Sequence, residues 1–311
     1  MFTTTDHNIL IIKHGSIGDF VLSLGAIKTI RKNFPNSKII LLTTSQIKNI
    51  FEKNPYVDQI CIDNRKSFKD VFIYLRILKK LKINFVFDLQ NSKRTEIYHL
   101  FTKFFASSIK VNSSRKFSHF RYLIPEHGTE HVSEGLNNQL RLTNIKNFFE
   151  PELQWLVNKN FKNPYDSNYV LLIPGTSRRG YNKQWPSNFF SELSKNILNK
   201  GYKVLITGSD ADLSQINEII KFCPSAINVK NLSTFPEFLN LCQSANLIIS
   251  VDTGPAHMAA LTGAPMIWLV QQGPYTVTNK PISKKLHIIT SKKMSLISVE
   301  DVYSKVLEIL N

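Results

Sequence analysis

The segment ISVDTGPAHMAALTGAP, Ile249 to Pro265, joins an apolar run to a helix of small residues through one carboxylate, Asp252. Gly254 allows a sharp turn, and Pro255 suits the first helical position, where a backbone N–H would have no partner within the helix. A strand, a tight turn and a helix in this order are typical of an α/β protein with a parallel sheet. The segment therefore predicts the fold class of the region around it.

The turn after Asp252 is also a candidate site for an anion. The free N–H groups of the first helical turn would point at a bound anion, with the helix dipole and His257 beside them. Asp-Thr-Gly is also the triplet of aspartic proteases, but that chemistry needs two carboxylates sharing a proton, and the sequence has one copy. A third interpretation is structural, with Asp252 as a helix cap and His257 bonded locally.

Composition indicates a globular protein with anionic partners. The chain has 311 residues, of which 42% are hydrophobic, and a net charge of +16, which favours nucleic acid, acidic lipid or phosphorylated glycan. Three scattered cysteines argue against disulfides and structural zinc. We find neither a membrane-spanning run nor a signal peptide, so the expected location is the cytoplasm.

Apolar runs and amphipathic segments alternate along the chain and predict parallel sheets with right-handed crossovers. One series starts with a strand at 9–12 and a second with a strand at 169–173. Between them, residues 110–168 are polar and rich in turn-forming residues. We expect two Rossmann-like domains, at residues 1–160 and 161–311.

Four loops should follow the carboxyl ends of strands, where open parallel sheets bind ligands. Each is rich in glycine and polar side chains, and together they read HGSIGD, PGTSRRGYNKQWP, GSDAD and VDTGPAH. If the two sheets face each other, the first loop lies opposite the other three.

The second of these loops is a candidate diphosphate site. Lys183 lies just before a predicted helix and close to Arg178 and Arg179, so it can present a point charge to a phosphate. Thr176 and Ser177 add hydroxyl donors. The alternative is a solvated basic loop in a basic protein.

Two other loops carry carboxylates with open roles. The GSIGD loop matches neither GxGxxG nor a P-loop, and its Asp19 either projects into a ligand cleft or only favours a helix start. Asp210 and Asp212 follow a strand, where a carboxylate commonly binds ribose hydroxyls, although a helix cap is equally consistent.

Aromatic residues are interleaved with cations between Lys103 and Tyr122, a pattern that suits a membrane interface, a phosphorylated lipid or single-stranded nucleic acid. Within this stretch we expect burial of Phe104 and Phe105 more than of Phe117 and Phe120. The three tryptophans have apolar neighbours, which predicts packing roles for Trp155, Trp185 and Trp268.

Taken in order, these segments resemble glycosyltransferase family 9, the ADP-heptose:lipopolysaccharide heptosyltransferases. The resemblance covers nearly the whole chain and is carried by IIKHGSIGDFVLSLGAI, FVFDLQNSKRT, PGTSRRGYNKQWP, VLITGSDAD, ISVDTGPAHMAALTGAP and SLISVEDVYSKVLEIL. It implies a GT-B fold, in which residues 1–160 bind a lipid-linked acceptor and residues 161–311 bind the nucleotide-sugar. A final helix often crosses back to the first domain in this family.

The resemblance also implies roles for individual residues. Asp19 matches the catalytic base, Lys183 the lysine on the donor diphosphate, and Asp252 the aspartate that holds sugar hydroxyls. The turn and helix start around the diphosphate are matched by Thr253, Gly254 and His257. The carboxylate on the adenosine ribose falls at Asp210 or Asp212.

Three departures from the family pattern stand out. Gly25 replaces the usual proline, and His14 precedes GSIGD where an arginine or a small polar residue is common. LVQQGPYT, residues 269–276, replaces the usual LFGPT near the sugar pocket. The donor sugar is therefore less firmly implied than the transferase class.

The expected function is inverting, metal-independent transfer of heptose or a related sugar to a lipopolysaccharide core or another cell-surface glycan. The donor is an ADP-sugar, with ADP-heptose as the expected one. No cofactor or nucleic acid is expected, and the acceptor is an anionic lipid-linked glycan met at the cytoplasmic face of the inner membrane. Two alternatives remain: a GT-B enzyme with another donor or an epimerase reaction, and a non-catalytic basic protein that binds nucleic acid or membranes.

Overall fold

A computed structural model describes residues 7–65, 67–166, 168–176, 180–229 and 234–311. The chain divides into two compact units, residues 1–155 and 156–311. Each unit has its own parallel sheet with helices on it, so the predicted α/β class is confirmed.

The first unit alternates strands and helices from its start. Its strands are β1 (Asn8–Ile12), β2 (Lys38–Thr43), β3 (Gln59–Ile62), β4 (Phe85–Asp88), β5 (Lys110–Ser113) and β6 (Phe120–Arg121). Its helices are α1 (Ile17–Asn33), α2 (Ser45–Phe51), α3 (Asp70–Lys80), α4 (Lys93–Phe105) and α5 (Val132–Arg141).

The second unit repeats the alternation. Its strands are β7 (Tyr169–Ile173), β8 (Lys203–Ile206), β9 (Ile227–Asn228), β10 (Leu247–Val251), β11 (Met266–Gln271) and β12 (Leu286–Ser291). Its helices are α6 (Ser187–Asn199), α7 (Leu213–Phe222), α8 (Phe235–Ser244), α9 (Gly254–Ala260), α10 (Tyr275–Thr278) and α11 (Val299–Leu310).

The two sheets have the same topology. The strand orders are β3-β2-β1-β4-β5-β6 and β12-β11-β10-β7-β8-β9, with parallel pairing throughout. The order reverses between β1 and β4 in the first sheet and between β7 and β10 in the second. Ligands of doubly wound sheets bind outside the carboxyl ends of the strands at such a reversal.

The segment that interrupts the sequence pattern, residues 110–168, still contains regular structure. It supplies β5, β6 and α5 to the first unit, and α5 packs against α1. The stretch after α5 also runs along α1, where the Phe149 N–H donates to Thr29 Oγ1 at 3.0 Å. A Cβ at Gly25 would lie 3.0 Å from the Phe149 oxygen, so the absence of a side chain at Gly25 permits this close packing.

The terminal helix α11 belongs to the core of the second unit. Its Val302 and Val306 are fully buried in the same cluster as Trp185, and the helix packs against α6. The Trp185 indole N–H donates to the Ile297 carbonyl at 3.0 Å. Trp268 is also fully buried and Trp155 lies against Phe51, which confirms the expected packing roles.

The expectation for Phe104 and Phe105 was wrong. Both side chains are 72% exposed, whereas Phe117 is 39% exposed. The reason lies on the other face of α4, where Tyr98 and His99 are buried because they bind buried carboxylates. The polar face of α4 therefore packs against the interior of the first unit, and its apolar face is exposed to solvent.

One of these carboxylates, Asp63, is the centre of a buried polar cluster at the end of β3. His14 Nε2 lies 2.9 Å from Asp63 Oδ2, and the Tyr98 hydroxyl donates to the same oxygen at 2.6 Å. Burial alone would raise the pKa of Asp63, but the hydrogen bonds from His14 and Tyr98 outweigh it and lower that pKa to about 2. The ionised carboxylate therefore stabilises the folded first unit.

We predict that Asp63→Asn lowers the free energy of unfolding by about 2 kcal/mol at neutral pH. The wild-type contribution of Asp63 is fully present above about pH 4, the range of an unfolded aspartate, and is lost as the pH falls towards 2. Urea denaturation at several pH values should show a weaker acid dependence in the variant. Asp166→Asn, which removes an exposed carboxylate paired with Lys203, is the control and should behave as wild type. Equal acid dependence in wild type and Asp63→Asn would contradict the assignment.

Candidate functional site

The reversal point of the first sheet is formed by the loops after β1 and β4. Gly15 has a φ of +38°, a backbone conformation that favours glycine. The side-chain oxygen of Gln90, just after β4, accepts hydrogen bonds from the N–H groups of His14 and Gly15, both at 2.9 Å. The two loops are thus tied together where the strand order reverses.

Asp19 is the third residue of α1 and forms a reciprocal cap with Ser16. Its backbone N–H donates to Ser16 Oγ at 3.3 Å, and its Oδ2 accepts from the Ser16 hydroxyl at 3.1 Å. This cap explains why the helix begins at Ile17. The carboxylate is half-buried and held in place at the reversal point, and its role as a base stays a prediction.

Lys13 is a buried residue of this site that none of the sequence motifs marks as functional. Its Nζ donates to the Leu89 carbonyl at 3.2 Å. A Cβ placed on Gly15 would lie 3.6 Å from Lys13 Cε and 3.2 Å from Asp19 Cβ, so both side chains pass close to Gly15. Burial lowers the pKa of Lys13, while the nearby carboxylates of Asp19 and Asp88 oppose that shift. A lysine directly after a wholly apolar strand was the available signal.

Asp88, at the end of β4, is structural. Its Oδ1 accepts from the N–H groups of Gln90 and Asn91 at 2.9 and 3.0 Å, and its Oδ2 lies 3.2 Å from His99 Nε2. Burial would raise the pKa of Asp88, but His99 and the loop N–H groups lower it. Asp88 therefore fixes the loop that carries Gln90.

The reversal point of the second sheet contains an ion pair. Lys183 Nζ lies 2.6 Å from Asp252 Oδ2, which joins the segment after β7 to the end of β10. The lysine side chain is 42% exposed and that of Asp252 14% exposed. Lys183 Nζ also lies 5.8 Å from the ring centre of Tyr275, an exposed residue of the LVQQGPYT segment. Sequence reasoning named Lys183 and Asp252 but missed their contact and Tyr275.

The turn after Asp252 has the predicted form. Thr253 is extended and precedes α9, which begins at Gly254, and its hydroxyl makes no capping bond. His257 lies in the same short helix but is only 5% exposed, so a ligand can reach little of its ring.

The loop after β7 is described only in part. Thr176 is buried, and its hydroxyl has no hydrogen-bond partner among the described residues. Ser177, Arg178 and Arg179 lie outside the described residues.

The two ribose candidates differ in environment. Asp212 is buried, and its Oδ2 accepts from the N–H and hydroxyl of Ser209 at 2.7 Å, which is the capping role considered above. A Cβ at Gly175 would overlap the Asp212 carboxyl group, so glycine is needed for this contact between the β7 and β8 loops. Asp210 is exposed.

Within the described part of the chain, no cluster of three or more His, Cys, Asp or Glu side chains is arranged to hold a metal ion. Across those same residues, every helix is too short or too polar to cross a bilayer.

Comparisons with known proteins agree with this architecture. Lipopolysaccharide heptosyltransferase 3 of Escherichia coli K12 is 27% identical over 228 residues, which span 66% of this chain and 65% of that protein, slightly under two thirds of its length. The structure of E. coli ADP-heptose lps heptosyltransferase II covers 97% of this chain and 98% of its own, with a TM-score of 0.77 at 18% identity. E. coli heptosyltransferase WaaC with ADP-2-deoxy-2-fluoro heptose covers 97% and 99%, with a TM-score of 0.74 at 15% identity. These similarities confirm the predicted GT-B fold class.

The family model of glycosyltransferase family 9 (heptosyltransferase) matches residues 128–305, a range that includes Lys183 and Asp252 but not Asp19. The matched range is more than half of the chain, and it contains the reversal point of the second sheet. The chain therefore belongs to glycosyltransferase family 9.

Proposed function

We propose that this protein is an inverting glycosyltransferase that moves a heptose from an ADP-sugar to a lipopolysaccharide core or a similar glycan. The observation that carries the proposal is the Lys183–Asp252 pair at the reversal point of the second sheet. There a cation for a diphosphate and a carboxylate for sugar hydroxyls lie side by side. Relatives with heptosyltransferase activity in their names support the choice of sugar.

The second unit would bind the donor. Lys183 and Asp252 neutralise each other's charge. A bound diphosphate would compete with Asp252 for Lys183, and the carboxylate would then be available to the sugar hydroxyls. The Thr176 hydroxyl and the turn at Thr253 and Gly254 add donors, and His257 contributes only its exposed edge. Ser177 keeps its proposed diphosphate role from the sequence.

Asp210 is the better ribose ligand of the two candidates. Asp212 Oδ2 already accepts the capping hydrogen bond from Ser209, and the Asp212 carboxyl group packs against Gly175. Asp210, by contrast, is exposed just after β8. Ribose hydroxyls commonly bind a carboxylate at this place in a Rossmann-like unit.

The first unit would bind the acceptor. The acceptor oxygen attacks the anomeric carbon, the bond from that carbon to the diphosphate oxygen breaks, and Asp19 takes the hydroxyl proton. Lys183 stabilises the charge on the departing nucleoside diphosphate, a role that a fixed cation can fill without a metal. Lys13 Nζ donates to the Leu89 carbonyl at 3.2 Å and so ties the loop that precedes Asp19 to the loop after β4.

The acceptor in this proposal is an anionic lipid-linked glycan, met at the cytoplasmic face of the inner membrane. The net charge of +16 supports an anionic partner. The ADP-sugar is a co-substrate, and the proposal includes neither a cofactor nor nucleic acid.

We predict that Asp19→Asn abolishes transfer but leaves ADP binding unchanged, because asparagine cannot take the proton and the donor site lies in the other unit. Transfer is measured with ADP-heptose and a lipopolysaccharide-core acceptor, and ADP binding by calorimetry. Asp301→Asn is a matched control, since Asp301 occupies the same position in the Ser-capped first turn of α11. Full turnover by Asp19→Asn would refute its role as the base.

We predict opposite effects on ADP binding for the two members of the ion pair. Lys183→Ala should weaken ADP binding by about tenfold or more, the loss expected for a charge-assisted contact. Asp252→Asn should preserve or tighten ADP binding, because it frees Lys183, while transfer is lost with the sugar contact. Calorimetry with ADP measures both, and Lys203→Ala, which removes another half-exposed paired lysine, is the control. Equal ADP affinity of Lys183→Ala and wild type would exclude Lys183 from the diphosphate site.

We predict that Lys13→Met lowers the transfer rate but leaves ADP binding unchanged, because the loop after β1 loses its hydrogen bond to the Leu89 carbonyl. Lys13→Arg keeps a donor at this position and should retain more of the transfer rate than Lys13→Met. Lys28→Met, which removes the paired lysine of the same unit, is the control for folding effects. A wild-type transfer rate in a folded Lys13→Met variant would restrict Lys13 to a packing role.

A further inference from the structure

Helix α4 exposes an apolar face. Its buried positions are Thr95, Tyr98, His99 and Thr102, which recur at helical spacing and bond into the interior of the first unit. The opposite face carries Ile97, Phe101 and Phe104, and the helix ends at Phe105. This face would normally be buried in a core, yet Phe104 and Phe105 are among the most exposed apolar side chains described.

Helix α3 and the residues before it extend this apolar face. The ring of Phe68 lies 6.1 Å from that of Phe101, which in turn stacks on Phe105 at 5.8 Å. On α3, Phe72 is 62% exposed and Ile73 is exposed beside it. We call this set the aromatic surface, and it comprises Phe68, Phe72, Ile73, Phe101, Phe104 and Phe105.

Cations border the aromatic surface. The exposed side of α3 continues from Phe72 and Ile73 to Arg76, Lys79 and Lys80 at helical spacing. On α4, Lys93 and Lys103 are exposed at its two ends.

The carboxylates of these two helices do not balance those cations. Asp70 is already paired with Arg94 at 2.6 Å, and Glu96 is the other acidic residue. The border of the aromatic surface therefore keeps a net positive charge.

We propose that the aromatic surface docks the protein onto an anionic lipid bilayer, with the rings at headgroup depth and the bordering cations on lipid phosphates. Aromatic side chains combined with lysine and arginine bind such interfaces by apolar burial and by attraction to anionic lipid. The positive border argues against a second copy as the occupant, since two such surfaces would repel each other. The aromatic surface would hold the proposed transferase at the membrane where its acceptor lies. Vesicle binding can be measured without the transfer reaction.

The test is co-sedimentation of the full chain with vesicles of phosphatidylcholine alone or mixed with phosphatidylglycerol. Wild type should bind the mixed vesicles, more weakly as salt rises, and bind phosphatidylcholine poorly. The triple variant Phe72→Ser, Phe104→Ser, Phe105→Ser should bind the mixed vesicles at least about tenfold more weakly. Phe222→Ser is the matched control, because Phe222 is 49% exposed beside Lys221 in the second unit.

A second pair of variants tests the charge. Lys79→Gln with Lys80→Gln should reduce binding to the mixed vesicles, while Lys292→Gln with Lys293→Gln, another exposed lysine pair, should not. Circular dichroism checks that all variants fold. Wild-type affinity in the triple variant, or equal binding to both vesicle types, would overturn the proposal.

Two further measurements separate the other outcomes. A wild-type dimer that becomes monomeric in the triple variant, with no vesicle binding by either, would assign the surface to self-association and also overturn the proposal. ADP binding by the triple variant should equal that of wild type. Loss of vesicle binding with ADP binding retained supports a docking surface that is separate from the donor site.

Discussion

A parallel strand that is covered on both faces can carry polar functional groups only where it ends. In both sheets the central strands are buried, β1 from Ile9 to Ile12 and β10 along its whole length, so the chemistry is displaced to their carboxyl ends. The strand order reverses beside each of them, which opens a crevice between the loops. Asp19 follows one of these strands and Asp252 the other, and the whole proposed site depends on this placement.

The buried or partly buried charges of the two units are balanced in different ways. In the first unit Lys13, Asp63 and Asp88 are buried, because Lys13 donates a hydrogen bond to a neighbouring loop and the two carboxylates accept hydrogen bonds, whereas an unpaired buried charge would be strongly destabilising. In the second unit the Lys183–Asp252 pair is partly exposed, and Lys183 Nζ lies 2.6 Å from Asp252 Oδ2. The buried, hydrogen-bonded charges of the first unit are suited to holding loops in place. The partly exposed Lys183–Asp252 pair is suited to exchanging one partner for an anionic ligand.

The departures from the family pattern at Gly25 and at residues 269–276 each have a structural setting. Gly25 lets the segment after α5 pack closely on α1, where a side chain would meet the Phe149 carbonyl. The LVQQGPYT segment brings Tyr275 to within 5.8 Å of Lys183. The first departure therefore concerns packing, while the second lies beside the proposed donor site.

The sequence by itself determined the α/β class, the strands at Tyr169–Ile173 and Leu247–Val251, and the loops that carry the polar residues, because apolar periodicity and turn chemistry are local properties. Only the tertiary structure decided which of those residues meet. Lys183 and Asp252 are 69 residues apart in sequence, and their pairing depends on β7 and β10 being neighbours. The tertiary structure also decided which face of α4 is buried. Hydrophobicity alone favours burial of Phe104, but the buried carboxylates of Asp63 and Asp88 required Tyr98 and His99 as partners, so the polar face turned inward.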